Sequence, residues 1–103
     1  MLISELAEKV TLEKLGDANV LTHPARASII KYLQKEGRAD ISQISKAIKL
    51  DKDRIGFHIL RLSKKGFVDG DYALKGKRAV RDYEITPKVK KTIDFLTEYF
   101  KEK

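Results

Sequence analysis

Apolar residues near the N-terminus of this chain recur at intervals of three and four residues, which is the spacing of one helix face. The positions are Ile3, Leu6, Ala7 and Val10. They predict an amphipathic helix over residues 1–15, which we expect Gly16 to end. Residues 16–19, Gly-Asp-Ala-Asn, predict a break, because glycine and short polar residues favour turns.

A second helix is predicted to begin at Pro24, since proline is favoured in the first turn and Thr22 or His23 can cap it. Its apolar face is formed by Ala25, Ile29, Ile30 and Leu33. Gly37 is expected to end it, because glycine readily adopts the left-handed conformation found at helix C-termini.

Two short helices separated by about three residues are predicted next. Asp40 or Ser42 can cap the first, and Asp51 can cap the second, which we expect to end at Gly66. The second helix carries its apolar residues at helical spacing, namely Ile55, Ile59 and Leu62. This arrangement is typical of a helix-turn-helix, whose second helix enters the major groove of DNA.

The period then changes to two, which is typical of strands. Residues 68–73 and 79–85 alternate apolar and polar side chains around a basic, glycine-containing loop over residues 74–78, so a β-hairpin is predicted. Thr86-Pro87 is expected to cap and begin a last helix over residues 87–103. Its apolar residues recur at the spacing of a coiled-coil seam, and they are Val89, Ile93, Leu96 and Phe100.

This order of elements predicts an α+β fold that is mainly α. It is the layout of a winged helix-turn-helix, in which the hairpin forms a two-stranded β wing and the terminal helix serves dimerisation. With 103 residues, the chain is expected to form a single domain over residues 1–103.

The positive charge of the chain is confined to its middle. Residues 1–37 and residues 82–103 each contain five Lys or Arg and five Asp or Glu. Residues 38–81 contain twelve basic and five acidic residues, so the whole net charge of +7 comes from this segment. Charge concentrated in this way creates a local field that attracts a polyanion such as nucleic acid.

Several classes of function have no support in the sequence. Without cysteine, a Gly-rich phosphate loop or a cluster of His and carboxylate residues, we expect no enzyme activity, no cofactor and no bound metal. No apolar run approaches the roughly 18 residues of a membrane span, and the N-terminus lacks the features of a signal peptide. A soluble, cytoplasmic protein is therefore expected.

Four segments resemble one known family. The segments are Leu-Thr-His-Pro-Ala-Arg-Ala-Ser-Ile-Ile at residues 21–30, the predicted recognition helix at 51–62, the Lys-Gly-Phe-Val exit at 65–68 and Tyr-Glu-Ile-Thr-Pro at 83–87. They are similar to segments of ArsR/MarR-like winged-helix transcriptional regulators, especially the small single-domain archaeal ones. The resemblance implies double-stranded DNA as the partner. Metal-sensing members use Cys and His on the recognition helix or the last helix, so a metal sensor is not expected here.

Candidate DNA contacts on the recognition helix follow from its outward face. They are Lys52, Asp53, Arg54, Gly56, Phe57 and Arg61. Lys and Arg can donate to guanine or phosphate, and Gly56 would let the backbone approach the DNA closely. The ring of Phe57 either contacts a thymine methyl group or completes the core beneath the wing, and we favour the core. His58 is expected to pack within the fold.

The wing and the turn supply further candidates, for which the alternative is an ordinary solvated surface. Long cations around Gly76 suit phosphates or the minor groove, and they are Lys75, Lys77, Arg78 and Arg81. Contacts to the DNA backbone beside the groove are predicted for Ser42, Gln43, Lys46 and Lys49.

A homodimer is predicted from the two terminal helices. Their apolar stripes are expected to pack on a second copy rather than solely within one chain, through Ile3, Leu6, Val10, Val89, Ile93, Leu96 and Phe100. The function favoured by the sequence is sequence-specific binding of double-stranded DNA by a transcription regulator. The alternatives are an architectural protein that coats DNA without sequence preference, and a winged-helix module that binds an acidic protein.

Overall fold

The computed structural model describes residues 15–101, with side chains up to residue 98. Helix α1 covers residues 15–22 of this range. The elements that follow are α2 (Pro24–Glu36), β1 (Ala39–Asp40), α3 (Ile41–Ile48), α4 (Lys52–Lys64), β2 (Val68–Lys75), β3 (Arg78–Ile85) and α5 (Pro87–Lys101).

The predicted break after Gly16 is wrong, because the helical conformation continues through residue 22. Ala18, Val20 and Leu21 are buried, so this segment contributes a core face of its own. Pro24 sets the end of α1, since a residue before proline disfavours the helical region. His23 is accordingly extended and caps α2, and its Nδ1 accepts a hydrogen bond of 3.2 Å from the backbone N–H of Ala25.

The helix-turn-helix is confirmed, with a capping side chain at the start of each helix. Asp40 begins α3 through a capping box in which its Oδ1 accepts from the Gln43 N–H and its own N–H donates to Gln43 Oε1. Lys49 ends α3 in the left-handed conformation, with φ of 65°. Asp51 caps α4, where its Oδ1 accepts from the Arg54 N–H at 2.8 Å.

The β-hairpin is confirmed, but its loop is shorter than predicted. Leu74 and Lys75 belong to β2 and Arg78 to β3, which leaves a turn of Gly76 and Lys77. Gly76 has φ of 68°, a value that glycine reaches without strain. The short strand β1 was not predicted, and it pairs with β3 to give an antiparallel sheet in the order β1-β3-β2.

The core lies where the helix-turn-helix, α2 and the base of the sheet meet. Its fully buried side chains are Ile29, Leu33, Ile44, Ile55, Leu62, Phe67, Val68 and Val89. The assignment of Val89 to a dimer interface is therefore corrected, because its side chain is enclosed within its own protomer. Over residues 15–101, no helix is both long enough and apolar enough to cross a membrane.

Candidate nucleic-acid interface

Helix α4 turns one face inward and leaves the opposite face open. Ile55, Ile59 and Leu62 are buried, which fixes the rotation of the helix about its axis. The residues predicted at its N-terminal end, Lys52, Asp53 and Arg54, are all exposed, as is Arg61 about two turns later. Arg54 forms an exposed contact of 3.4 Å with Asp51, and such surface pairs contribute little energy.

One prediction on α4 is corrected by the exposure of its side chains. Phe57 does not complete the core, because it is 55% exposed, and its neighbour Leu60 is 53% exposed. Gly56 is half-buried, and a Cβ atom there would meet Ile41 Cδ1 at 3.9 Å. Gly56 therefore lies at the edge of the outward face, on the flank of α4 that is turned towards α3.

One face of the wing holds an arginine between two aromatic rings. The guanidinium carbon of Arg81 lies 5.6 Å from the ring centroid of Tyr83 and 6.0 Å from that of Tyr72, which are cation–π distances. Cross-strand pairing places Tyr72 opposite Arg81 and Gly70 opposite Tyr83 on this face. A Cβ atom on Gly70 would lie 2.4 Å from Arg81 Nε and 2.8 Å from Tyr83 Cε1, so a side chain there would force Arg81 and Tyr83 to move.

Sequence reasoning missed the roles of Gly70, Tyr72 and Tyr83 in placing Arg81. The spacing of two does mark Gly70 and Tyr72 as sharing a face of β2. Their relation to Arg81, however, depends on the register between the two strands. Arg81 has no carboxylate within 4.0 Å in the described part of the chain, so its positive charge faces outward uncompensated.

Arg81 and α4 share one groove. It has a volume of about 320 Å³ and is lined from α4 by Gly56, Ile59, Leu60 and Ser63, and from β3 by Arg81 and Tyr83. The aromatic face of the wing is therefore the face turned towards the recognition helix. A ligand that lies along the outward face of α4 also meets the guanidinium of Arg81.

The opposite face of the wing uses its cation differently. Lys75 Nζ lies 2.6 Å from Asp40 Oδ2 and 2.9 Å from Asp82 Oδ1, and it donates to Gln43 Oε1 at 2.9 Å. The prediction of Lys75 as a DNA contact is therefore corrected, because its ammonium joins the wing to the start of α3. Among the other backbone candidates, Ser42, Gln43, Lys46 and Lys49 are exposed, although Gln43 Oε1 is already engaged.

The network around Lys75 shifts two pKa values. Burial alone would raise the pKa of Asp40, but hydrogen bonds from Lys75 and from the Gln43 backbone, together with the Lys75 charge, lower it below its usual value. Hydrogen bonds to Asp40 and Asp82 raise the pKa of Lys75. Both shifts favour the charged pair at neutral pH.

The turn of the wing carries the cations that remain available. Lys77 and Arg78 are exposed, and neither has a carboxylate within 4.0 Å among the residues that the structure describes. Lys77, Arg78 and Arg81 thus have no carboxylate beside their charge among the described residues, whereas the charge of Lys75 is paired with Asp40 and Asp82.

His58 packs within the fold, as predicted, in a cluster of cationic side chains on the other flank of α4. Its ring lies 4.8 Å from that of His23, and its Nδ1 is 3.4 Å from Arg26 Nη1. Arg26 is buried and its Nε donates to the Val20 carbonyl at 2.6 Å, a role that the sequence pattern did not reveal. Burial lowers the pKa of His58, and the charges of His23, Arg26 and Arg61 lower it further.

An apolar groove of about 460 Å³ lies between α1, α2 and α5. Its apolar lining includes Leu21, Ile30, Ile93 and Leu96. Ile93, which belongs to the apolar stripe predicted to pack on a second copy, is 41% exposed in the single chain. Of the other dimer candidates, Ile3, Leu6, Val10 and the side chain of Phe100 lie outside the described residues.

Within residues 15–101, no group of three His, Cys, Asp or Glu could hold a metal ion.

Comparisons with known proteins agree with this geometry. Residues 25–101 match the family described as winged helix DNA-binding domain. Over 75 residues the chain is 29% identical to an uncharacterized HTH-type transcriptional regulator of Methanocaldococcus jannaschii, a match that covers 73% of this chain and 76% of that protein.

Two solved structures are similar in fold. A transcriptional regulator homologue from Pyrococcus horikoshii OT3 has a TM-score of 0.68 and 24% identity, covering 88% of this chain and 94% of the other. A homodimeric winged helix-turn-helix DNA-binding domain from Mycobacterium bovis, a possible ArsR-family transcriptional regulator, has a TM-score of 0.65 and 16% identity, covering 92% and 84%. The predicted winged-helix fold and the resemblance to such regulators are confirmed.

Proposed function

The chain belongs to the family of winged helix DNA-binding domains, and from this premise we propose that it acts as a homodimeric transcription regulator that binds double-stranded DNA with sequence specificity. In this proposal α4 enters the major groove, and the wing contacts the flanking backbone. The subunit is a single domain over residues 1–103, and its terminal helices form the dimer.

The shared groove of α4 and the wing is the observation that supports this proposal most strongly. It places Leu60 and Ser63 of α4 beside Arg81 of β3, so one DNA duplex can meet both elements at once. A helix fits the major groove of B-DNA, which is roughly 12 Å wide. Arg81, held in place by Tyr72 and Tyr83, then lies where a phosphate at the edge of that groove would pass.

The distribution of charge supports the same orientation. Most exposed cations of residues 38–81 lie on α3, on α4 and at the wing turn, and they include Lys46, Lys52, Arg54, Arg61, Lys64, Lys77 and Arg78. Since phosphate contacts fix the register of a protein on DNA, these side chains would position α4 for contacts to the bases.

The apolar groove between α1, α2 and α5 supports a homodimer. Ile93 and Leu96 line it from α5, and both belong to the apolar stripe of that helix. The homodimeric domain from Mycobacterium bovis has the same fold. A two-fold dimer would present its two α4 helices to half-sites roughly 34 Å apart, one turn of DNA.

Equilibrium binding to duplex DNA at several salt concentrations tests the proposal. If about six phosphates are neutralised, the logarithm of the affinity constant falls with the logarithm of salt concentration at a slope of about −5. A slope near zero would contradict the electrostatic part of the proposal. Absence of duplex binding at low salt would instead favour a module that recognises an acidic protein. Sedimentation equilibrium tests the dimer, and a monomer at the concentrations used for binding would contradict it.

Competition between native genomic fragments and random DNA tests sequence specificity. We expect a selected native fragment to outcompete random duplex by at least about a thousandfold, the lower end for specific DNA-binding proteins. Equal affinity for both would favour the architectural role.

A further inference from the structure

The outward face of α4 carries two large apolar side chains in the place where polar base contacts are expected. Phe57 and Leu60 are both more than half exposed. They are three residues apart, so they are neighbours on the helix surface. Asp53 lies one turn before Phe57, and Lys64 lies one turn after Leu60, both exposed on the same side of the helix. The middle of this face is therefore apolar, and its two ends are charged.

Cationic side chains border the apolar pair on both sides. The guanidinium of Arg61 lies 5.8 Å from the ring centroid of Phe57, and the ring of His58 meets that of Phe57 edge-on at 5.6 Å. These contacts hold the phenyl ring in place on the surface. On the other flank, Leu60 lines the groove that it shares with Arg81. An apolar strip thus runs between two guanidinium groups.

The major groove of DNA has the complementary arrangement. Phosphates form its two walls, and the apolar group on its floor is the C5-methyl group of thymine. A protein partner that covers Phe57 and Leu60 would instead have to place acidic groups against both Arg61 and Arg81. The family to which the chain belongs favours DNA as the occupant.

We propose that Phe57 and Leu60 are specificity-determining residues that contact thymine methyl groups, so that the protein selects thymine in the middle of each half-site. The inference rests on the proposed function, because α4 must enter the major groove. It assigns the discrimination at these positions to apolar contact rather than to hydrogen bonding.

Uracil-containing DNA tests the inference even while the target sequence is undetermined. Native genomic fragments retained by the full chain are amplified with either dTTP or dUTP, and the affinity for each duplex is measured. Uracil differs from thymine by the loss of the methyl group alone, so the hydrogen-bonding groups of the bases are unchanged. We expect the wild-type protein to bind the uracil duplex about tenfold more weakly, because the dimer would lose at least one buried methyl contact in each of its two half-sites.

Variants then show whether these two side chains cause the difference. Phe57→Ala and Leu60→Ala should each move the ratio of thymine to uracil affinities towards one, because the side chain that senses the methyl group is gone. Leu74→Ala is the matched control for the thymine-to-uracil ratio, since Leu74 is 79% exposed on the wing, whose proposed contacts are to the DNA backbone and not to base methyl groups. It should leave the wild-type ratio unchanged. All three positions are exposed, so the variants should keep the wild-type thermal unfolding curve.

The outcomes separate this inference from the proposed function. If the wild-type protein binds the thymine and uracil duplexes tightly and with nearly equal affinity, the proposed methyl contacts are wrong while the proposed DNA binding stands. A ratio that persists in both α4 variants also overturns them, because uracil would then act through the shape of the DNA. Unchanged affinity and ratio in both variants overturns the inference in favour of a protein surface on α4. Failure to bind either duplex overturns the proposed function and the inference together.

Discussion

Two basic residues on opposite faces of the wing are used in opposite ways. On the face turned towards α4, Arg81 lies between Tyr72 and Tyr83 without a carboxylate partner in the described part of the chain. On the other face, Lys75 is neutralised by Asp40 and Asp82. The number of cations in a wing therefore does not equal the number available to DNA, because strand register decides which face each cation occupies.

Replacement of Arg81 by alanine should have the largest effect on DNA affinity. We expect about a tenfold loss for each subunit's contact, since a charge-assisted hydrogen bond to phosphate is removed. The salt dependence should also become shallower, by about one unit of slope for each phosphate released. Titrations of the variant and the wild type at three salt concentrations measure both effects. An unchanged slope would place Arg81 away from the DNA.

A smaller effect on the same face is expected for Gly70→Ala. The new methyl group would overlap Arg81 Nε and the ring of Tyr83, so the guanidinium must leave its present position. We expect about a threefold to fivefold loss of affinity, less than for Arg81→Ala because the displaced charge remains on the wing. Gly16→Ala is the control, because a Cβ atom there meets nothing within 4 Å. Equal affinities of the two variants would show that the position of Arg81 has no influence on binding.

This comparison also shows what the sequence could and could not predict. The helix ends could be predicted, because they depend on the chemistry of a few adjacent residues. They are marked by Pro24, Gly37, Asp40 and Asp51. The prediction that a helix ends at Gly16 was wrong, because the modest energetic cost of a glycine inside a helix is offset by the burial of nearby apolar side chains. Helix period and charge placed α4 and its exposed N-terminal cations correctly.

The remaining errors arise from contacts between distant residues. Strand β1 has two residues, too few for an alternating pattern, and it is defined by its pairing with β3. The acidic partner of Lys75 at Asp40 is 35 positions away. The exposure of Phe57 depends on how α4 is rotated against the core, since an aromatic ring beside apolar residues fits either side of a helix. The ionic partner of Lys75 and the rotation of α4 about its axis both depend on tertiary contacts, so they cannot be predicted from the neighbouring residues in the sequence.

Lys75 and Lys77 are expected to affect different properties, Lys75 the stability of the fold and Lys77 the affinity for DNA. Lys75→Met keeps most of the side-chain volume but removes the charge between Asp40 and Asp82. We expect the melting temperature to fall by a few degrees, because two partly buried carboxylates then face each other, while DNA affinity stays within about twofold of the wild type. Lys77→Met is the matched control, and it should weaken DNA binding while leaving the melting temperature unchanged. If the two variants behave alike, the distinction between the paired Lys75 and the unpaired Lys77 is wrong.

The smallest expected effect is a change in how stability responds to acid. Because the pKa of Asp40 in the folded protein lies below its ordinary value of 3.8, its ionised form stabilises the fold above that pH. This contribution is lost as the pH falls from about 3.8 through the lower folded-state pKa. In Lys75→Met the ammonium that helps to lower the pKa of Asp40 is gone, so acid should remove less stability from the variant than from the wild type. The difference in melting temperature between the wild type and Lys75→Met should therefore narrow as the pH falls below about 3.8, and a constant difference would show that Asp40 and Lys75 are not coupled.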